Sequence, residues 1–189
     1  MMRRICVYCG SSPGANDRYS EAARELARIL VRHDLELVYG GASKGTMGVL
    51  ADAVLERGGS VHGVIPKMLQ DKEIAHTSLT ELHVVASMHE RKSMMAALSD
   101  GFIAMPGGFG TLEEIIEILT WGQLRFHDKP CGVLNVLGYF DKLLEYLDHT
   151  QNEGFLRAEN RAMLLCDNDP VGLIQQFERY TAPHIDKWQ

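Results

Sequence analysis

Six short runs of β-branched and apolar residues alternate along the chain with segments patterned as amphipathic helices, and glycine-rich turns separate them. The runs occupy residues 5–8, 35–39, 61–65, 82–85, 102–105 and 133–136. Within residues 17–32, for example, Ala23, Leu26 and Leu30 recur at the i, i+3, i+7 spacing of a helix with one buried face. Because the runs are apolar on both sides, the strands need helices on both faces of the sheet. The pattern therefore predicts an α/β fold, a Rossmann-like doubly wound parallel β-sheet.

A single domain spanning residues 1–189 is expected to hold this sheet. Of its residues, 46% are hydrophobic and 23% charged, and the sequence contains no linker, repeat or low-complexity tract. That balance excludes disordered, collagen-like and coiled-coil chains. The formal net charge of -6 has the wrong sign for non-specific binding of nucleic acid, so no nucleic-acid partner is expected. A few cations and backbone dipoles in a cleft can still attract one small anion.

The sequence also bears on location. No run reaches the ~18 apolar residues of a membrane helix, and the apolar start breaks at Gly10, too early for a signal peptide. The four cysteines lie in or beside apolar runs, where reduced thiols behave as small hydrophobes. We therefore expect a cytoplasmic protein with no membrane partner.

Two patterns that resemble redox or metal motifs do not meet the requirements of those motifs. Cys6 and Cys9 form a C-x-x-C, but positions three apart on a strand point to opposite faces of the sheet. His89 begins the segment H-E-R-K-S, which has Ser93 where the zinc motif H-E-x-x-H needs its second histidine. The eight histidines show no paired spacing with cysteine or aspartate. The sequence therefore predicts neither a redox pair nor a metal site.

Glycine-rich loops follow two of the predicted strands, at residues 40–48 and 106–111. Ligands of open α/β sheets bind beyond the carboxyl ends of the strands, where such loops gather. Consecutive glycines let backbone N–H groups converge on an anion, although the same glycines also serve tight turns and close helix packing. The first loop is not a P-loop because Lys44 precedes Gly45, and the second lacks the last glycine of G-x-G-x-x-G. The loops therefore favour a phosphate site that is neither a dinucleotide nor an NTPase site.

Cations stand near one predicted helix start. Ser87 and Glu90 form a capping-box pattern, which places Arg91 and Lys92 in or near the first turn of the next helix. Cations at this end oppose the helix dipole, and a bound phosphate or facing carboxylates would reverse that penalty. Two solvated surface cations are the alternative interpretation.

Carboxylates crowd a second predicted helix start. Thr111 and Glu114 also form a capping-box pattern, which would give Glu114 a purely structural role. Glu113, Glu114 and Glu117 place like charges three and four residues apart, which is destabilising without nearby cations such as Arg91 and Lys92. If both helix starts border one cleft, cations and a carboxylate meet beside a glycine loop. Such a cleft would bind a phosphorylated small molecule.

The segment P-G-G-F-G-T-L-E-E at residues 106–114 matches P-G-G-x-G-T-x-x-E, and here the sequence resembles the LOG (Lonely Guy) family of cytokinin riboside 5'-monophosphate phosphoribohydrolases. Further likeness covers residues 6–12, 40–48, 88–92 and 119–121. The resemblance implies a Rossmann-like homodimer that needs no cofactor. It also implies hydrolysis of the N-glycosidic bond of adenosine-type nucleoside 5'-monophosphates to a free base and ribose 5-phosphate. Whether the base is plain or N6-substituted adenine stays open.

Residue by residue, the resemblance places the family's catalytic pair on Arg91 and Glu114. It places the substrate contacts on Glu73, Met88, Lys92, Gly107, Gly108, Phe109, Gly110, Thr111, Glu113 and Thr120. Glycosidic cleavage builds positive charge on the ribose, so a carboxylate beneath the anomeric carbon stabilises the transition state or activates a water. Glu114 is the candidate for this role. Arg91 would hold the phosphate or the departing base and keep Glu114 ionised.

The runner-up is a non-catalytic nucleotide-binding or carrier protein of the same superfamily, whose glycine loops hold a nucleotide or pterin phosphate. A binder needs the cradle and a cation but no carboxylate at the anomeric carbon, so Arg91 and Glu114 together favour the enzyme. A DNA-processing relative would need a basic surface, which 19 Lys and Arg against 25 Asp and Glu do not supply.

Overall fold

The computed structural model describes residues 2–70 and 75–183, and within them seven parallel strands form one sheet. The strands are β1 (Arg4–Tyr8), β2 (Glu36–Tyr39), β3 (Val61–Pro66), β4 (Glu81–Val85), β5 (Gly101–Ala104), β6 (Cys131–Leu134) and β7 (Leu164–Asp167). Their order across the sheet is β4-β3-β2-β1-β5-β6-β7. The chain steps from β1 to one edge and then restarts on the other side of β1, so the topological switch point lies between β1 and β5.

Helices cover both faces of the sheet, as the sequence predicts. In the described residues they are α1 (Arg18–Arg32), α2 (Gly45–Leu55), α3 (Lys67–Gln70), α4 (Met88–Leu98), α5 (Phe109–Gln123), α6 (Asp141–Asn152), α7 (Ala158–Arg161) and α8 (Pro170–Arg179), with a 3₁₀ turn at Val136–Gly138. None of these helices is both long and apolar enough to cross a membrane. The doubly wound, Rossmann-like fold is confirmed.

The end of the sheet beyond β5 differs from the prediction. β6 begins two residues before the predicted run 133–136, and Val136 lies in the 3₁₀ turn instead of the strand. β7 was not predicted, because its Leu-Leu-Cys run is too short to be told from one buried face of a helix. Its identity as a strand comes from pairing with β6.

The core consists of two apolar clusters separated by the sheet. Helices α1, α2 and α8 cover one face, and α4, α5 and α6 cover the other. Cys6 belongs to one cluster and Cys9 to the other, which confirms that the C-x-x-C pair points to opposite faces. All four cysteines are free thiols.

Helix α4 connects strands that are far apart in the sheet. β4 is an edge strand and β5 lies beside β1, so three strands separate them. The helix that joins them packs against β3, β2 and β1 on its way back. The starts of α4 and α5 therefore approach one another because α4 crosses the sheet, and not because β4 and β5 are neighbours.

Candidate active site

A cavity of about 240 Å³ opens at the switch point, between the loops that follow β1 and β5. Its walls include Gly10 after β1, Gly40 after β2 and residues 108–111 at the start of α5. The side chains of Arg91 and Glu114 also line it. Pockets for drug-sized ligands usually measure about 300–1,000 Å³, so this cavity has the size of a site for one small molecule.

Arg91 lies in the first turn of α4, and its charged side chain is buried. Its Nε donates to the carbonyl oxygen of Val64 at 3.1 Å and its Nη2 to that of Gly40 at 3.2 Å. Gly40 leaves room for this contact because it has no side chain; a Cβ there would lie 2.1 Å from Nη2. Backbone carbonyls therefore fix the guanidinium at the cavity wall, while its charge remains available to a ligand.

The capping-box prediction for Thr111 and Glu114 is wrong. α5 begins at Phe109 with Gly108 as its N-cap, so Thr111 lies inside the first turn and Glu114 lies in the second. Glu114 lines the cavity, where burial raises the pKa of its carboxyl from 4.5 to about 7 against the opposing charge of Arg91. In the described part of the chain, no hydrogen bond or ion pair holds this carboxyl.

Lys92 binds the other two glutamates of α5. Its Nζ donates to Glu113 Oε1 at 2.5 Å and to Glu117 Oε1 at 2.9 Å. The prediction that a cation from α4 neutralises the glutamate cluster is thus confirmed for Lys92. Lys92 does not line the cavity, so among the described wall residues Arg91 supplies the positive charge.

The glycine loop before α5 is tightly packed on one side and open on the other. A Cβ on Gly107 would lie 2.1 Å from Thr111 Oγ1 and 3.0 Å from the backbone nitrogen of Gly10. A Cβ on Gly108 or Gly110 would meet nothing within 4 Å. The loop therefore rests on the β1 loop through Gly107 and leaves free space beside its backbone at Gly108 and Gly110.

The remaining predicted contacts lie at or outside the rim. Phe109 is 92% exposed beside the cavity. Met88 is partly exposed, and its sulfur lies 3.9 Å from Nη1 of Arg91. Thr120 is exposed on α5, and its hydroxyl donates to the carbonyl of Ile116. Glu73 lies outside the described residues, so its place as a substrate contact stays a prediction.

The other capping box is present at the start of α4. The hydroxyl of Ser87 accepts the backbone N–H of Glu90 at 3.1 Å. The Glu90 carboxylate reaches back to the N–H of Ala86 at 2.8 Å, one residue before the expected partner. This cap fixes the start of α4 and with it the position of Arg91 in the first turn.

Two residues with a place in this site were not predicted individually. Gly40 belongs to a loop that the sequence singles out, but its contact with Arg91 joins positions 51 residues apart. Tyr139 donates its hydroxyl to the carbonyl of Gly107 at 2.7 Å and so holds the glycine loop. No local sequence pattern signals either contact, because each depends on how distant segments pack.

The fold and the site define a Rossmann-like α/β protein with a small cleft over its switch point, lined by one buried arginine and one partly buried glutamate. A solved structure of the molybdenum cofactor (Moco) carrier protein from Chlamydomonas reinhardtii matches with a TM-score of 0.70 and 21% identity, covering 95% of this chain and 97% of the carrier. At that identity the match shows the fold alone.

Sequence relatives identify the family. The family described as "Possible lysine decarboxylase" matches residues 47–177. Cytokinin riboside 5'-monophosphate phosphoribohydrolase LOG5 of Arabidopsis thaliana is 49% identical over 178 residues, which cover 94% of this chain and 78% of that protein. The probable phosphoribohydrolase LOGL2 of Oryza sativa subsp. japonica is 47% identical over 182 residues, covering 96% and 75%. The chain belongs to the LOG family of cytokinin riboside 5'-monophosphate phosphoribohydrolases.

Proposed function

We propose that this protein hydrolyses the N-glycosidic bond of adenosine-type nucleoside 5'-monophosphates, cytokinin riboside 5'-monophosphates and AMP among them, to the free base and ribose 5-phosphate. The observation that carries the proposal is that Arg91 and Glu114 line one small cavity at the switch point. A guanidinium and a free carboxylate on opposite helices can act on a ligand that carries an anionic phosphate and develops a cationic ribose.

In the proposed reaction a water oxygen forms a bond to the anomeric carbon while the C–N bond to the base breaks. The electron pair of the C–N bond leaves with the base nitrogen, which gains a proton. The attacking water gives up one proton and keeps the other in the new anomeric hydroxyl, so no net proton is released. Glu114, in its ionised form, stabilises the positive charge that builds on the ribose or takes the proton of the attacking water. Arg91 binds the phosphate or the leaving base, and its charge favours the ionised form of Glu114.

The glycine loop supplies the phosphate cradle in this proposal. Gly108 and Gly110 leave open space beside the backbone where α5 begins, and the N-terminus of that 15-residue helix carries partial positive charge. Gly107 and Thr111 shape the loop from within. Lys92 and Glu113, which bind each other, act at the rim and set the charge around Glu114.

Two other functions fit the cavity less well. A carrier of phosphorylated ligands has no use for a partly buried carboxylate without a partner, so Glu114 argues against a carrier function. Amino-acid decarboxylation through a Schiff base would need a lysine at the site, and among the described wall residues there is none.

An assay of base release separates these functions. The purified protein is incubated with AMP, isopentenyladenosine monophosphate, the matching nucleosides and other nucleoside monophosphates, and the released base is measured by chromatography. We expect release from the adenine monophosphates and little from the nucleosides, which lack the phosphate. Glu114→Gln should lower kcat by about 100-fold or more while the protein stays folded. If no base is released from any monophosphate, the result favours the carrier function over the hydrolase.

We further propose a homodimer in the cytoplasm. The family resemblance supports the dimer, and Ile116, Leu124 and Phe126 expose apolar surface on α5 and the turn after it, as an interface would require. Four free cysteines fit a reducing compartment. Light scattering coupled to size-exclusion chromatography tests the first proposal, and fractionation of the native host cells tests the second.

A further inference from the structure

Three side chains of types that can bind a metal ion meet on β3 and the edge strand β4, outside the cavity lining. His62 on β3 is the register partner of Glu81 on β4, and His83 follows two residues after Glu81, so it points to the same face of the sheet. Their donor atoms all lie within 4.8 Å of one another. The sequence gives no metal motif here, because the donors come together only when β3 pairs with β4.

The hydrogen-bonding pattern of His62 leaves its Nδ1 as an acceptor. Its Nε2 lies 3.0 Å from Oε2 of Glu36, and Arg4 donates to that same carboxylate oxygen at 2.6 Å. A carboxylate paired with an arginine accepts hydrogen bonds, so Nε2 of His62 is the donor in this contact, and in a neutral imidazole Nδ1 carries the lone pair. Nδ1 then offers its lone pair toward the Glu81 carboxylate, 3.3 Å away, which is also an acceptor.

His83 provides the third candidate ligand atom, a ring nitrogen without a hydrogen-bond partner. Its Nε2 is buried and makes no hydrogen bond in the described structure, and it lies 3.4 Å from the same Glu81 oxygen. Buried polar nitrogens usually have a partner, and a divalent cation between this nitrogen and the Glu81 carboxylate would provide one.

Two of the three donor–donor distances match those of a zinc site. Zinc binds histidine nitrogen and carboxylate oxygen at about 2.0–2.2 Å in a tetrahedron, which puts neighbouring donor atoms about 3.3–3.6 Å apart. Glu81 Oε2 is 3.3 Å from His62 Nδ1 and 3.4 Å from His83 Nε2. The contact of His62 with Glu36 is the hydrogen bond to a carboxylate that orients most zinc-binding histidines. Glu81 is 55% exposed, so an ion has access from solvent and a fourth position remains for water.

We propose that His62, Glu81 and His83 form a zinc site, with Glu36 orienting His62. The ion would clamp the edge strand β4 to β3. Because β4 leads directly into α4, the clamp would hold the strand from which Arg91 is positioned.

Zinc titration of the full chain tests the site. Metal-free protein is titrated with zinc chloride by calorimetry, and cobalt chloride is added separately to record its visible spectrum. We expect one zinc per chain, a rise in the thermal unfolding midpoint with zinc, and the intense visible bands of tetrahedral cobalt. His83→Gln and Glu81→Gln should weaken zinc binding at least about 100-fold, and Glu36→Gln about 10- to 100-fold.

His149→Gln is the matched control, since His149 is an exposed histidine 4.0 Å from Glu153 and far along the chain from the cluster. It should bind zinc like the unmodified protein. Each variant is compared without zinc by thermal unfolding, so a loss of binding is separated from a loss of fold. The proposal is overturned if the unmodified protein binds no zinc at millimolar concentration, or if His83→Gln and Glu81→Gln bind it as tightly as His149→Gln.

Discussion

Replacing Gly40 with alanine tests whether the position of the Arg91 guanidinium controls the reaction. The new Cβ would lie 2.1 Å from Nη2 of Arg91 and 3.1 Å from the sulfur of Met47. Gly40 is outside the left-handed region of backbone conformation, so the alanine itself adds no backbone strain. Both clashing atoms belong to long side chains that can move away, so the fold is expected to absorb the change.

The size of the effect follows from that overlap. Non-bonded heavy atoms approach to about 3.5 Å, so Nη2 must retreat by more than about 1 Å and give up its bond to the Gly40 carbonyl. A misplacement of about 1 Å in an active site costs about 100-fold in rate, and we expect kcat/KM to fall by about that factor. Losing one hydrogen bond should cost only about 1 kcal/mol of unfolding free energy.

The assay is the release of base from the best monophosphate, with thermal unfolding measured in parallel. Arg91→Lys provides the control background, because lysine lacks the Nη2 atom that meets the new Cβ. Adding Gly40→Ala to Arg91→Lys should cost less than about threefold, since the two changes act on one interaction. A Gly40→Ala protein with nearly unchanged kcat/KM, or an equal 100-fold loss in both backgrounds, would refute this reasoning.

Three further predictions concern Glu114 and the glycine loop. In the proposed mechanism the ionised carboxylate is the active form, so kcat/KM should rise with pH through the raised pKa of Glu114, about 7. Glu117→Gln should move that midpoint down, since the Glu117 charge raises the pKa of Glu114. A profile that falls through this range would reverse the role of Glu114. The same raised pKa means that folding favours protonated Glu114, so stability is lost as pH rises from about 4.5 through about 7. The thermal unfolding midpoint of Glu114→Gln should therefore rise relative to that of the unmodified protein as pH increases across that range. A difference between the two midpoints that stays constant with pH would contradict the burial of a titrating carboxyl. Tyr139→Phe removes the hydrogen bond to Gly107 and should raise KM about fivefold with kcat little changed, whereas an unchanged KM would show that the loop does not need this support.

The fold was largely predictable because a buried parallel strand needs an apolar run. The first five predicted runs coincide with β1 to β5 to within a residue at either end. Helix α1 begins one residue later than the start of the predicted helical segment 17–32. β7 was not predicted because its four residues are too few for a periodic pattern that identifies a strand. The path of α4 across the sheet was not predicted either, since the order of strands in a sheet depends on the whole chain and not on any one segment.

The site was predictable in its residue types and less so in its contacts. The glycines and charges near two helix starts pointed to Arg91 and Glu114, and both line the cavity. The capping box at Thr111 misled because Gly108 and Phe109 already begin the helix, and a glycine N-cap leaves no side-chain signal. Contacts to carbonyl oxygens, such as Arg91 with Gly40 and Tyr139 with Gly107, involve no recognisable partner residue.

The glutamates at the start of α5 divide into two kinds, and the division supports the catalytic role proposed for Glu114. Glu113 and Glu117 share the ammonium of Lys92 and need nothing further. Glu114 is turned into the cavity, and keeping it ionised above its raised pKa costs on the order of 3 kcal/mol relative to an ordinary glutamate. Glutamine would fill the same position in the helix without that cost, so the fold gains nothing from the carboxylate. A ligand whose ribose becomes cationic in the transition state offsets the cost, because its charge stabilises the ionised form at the moment of reaction.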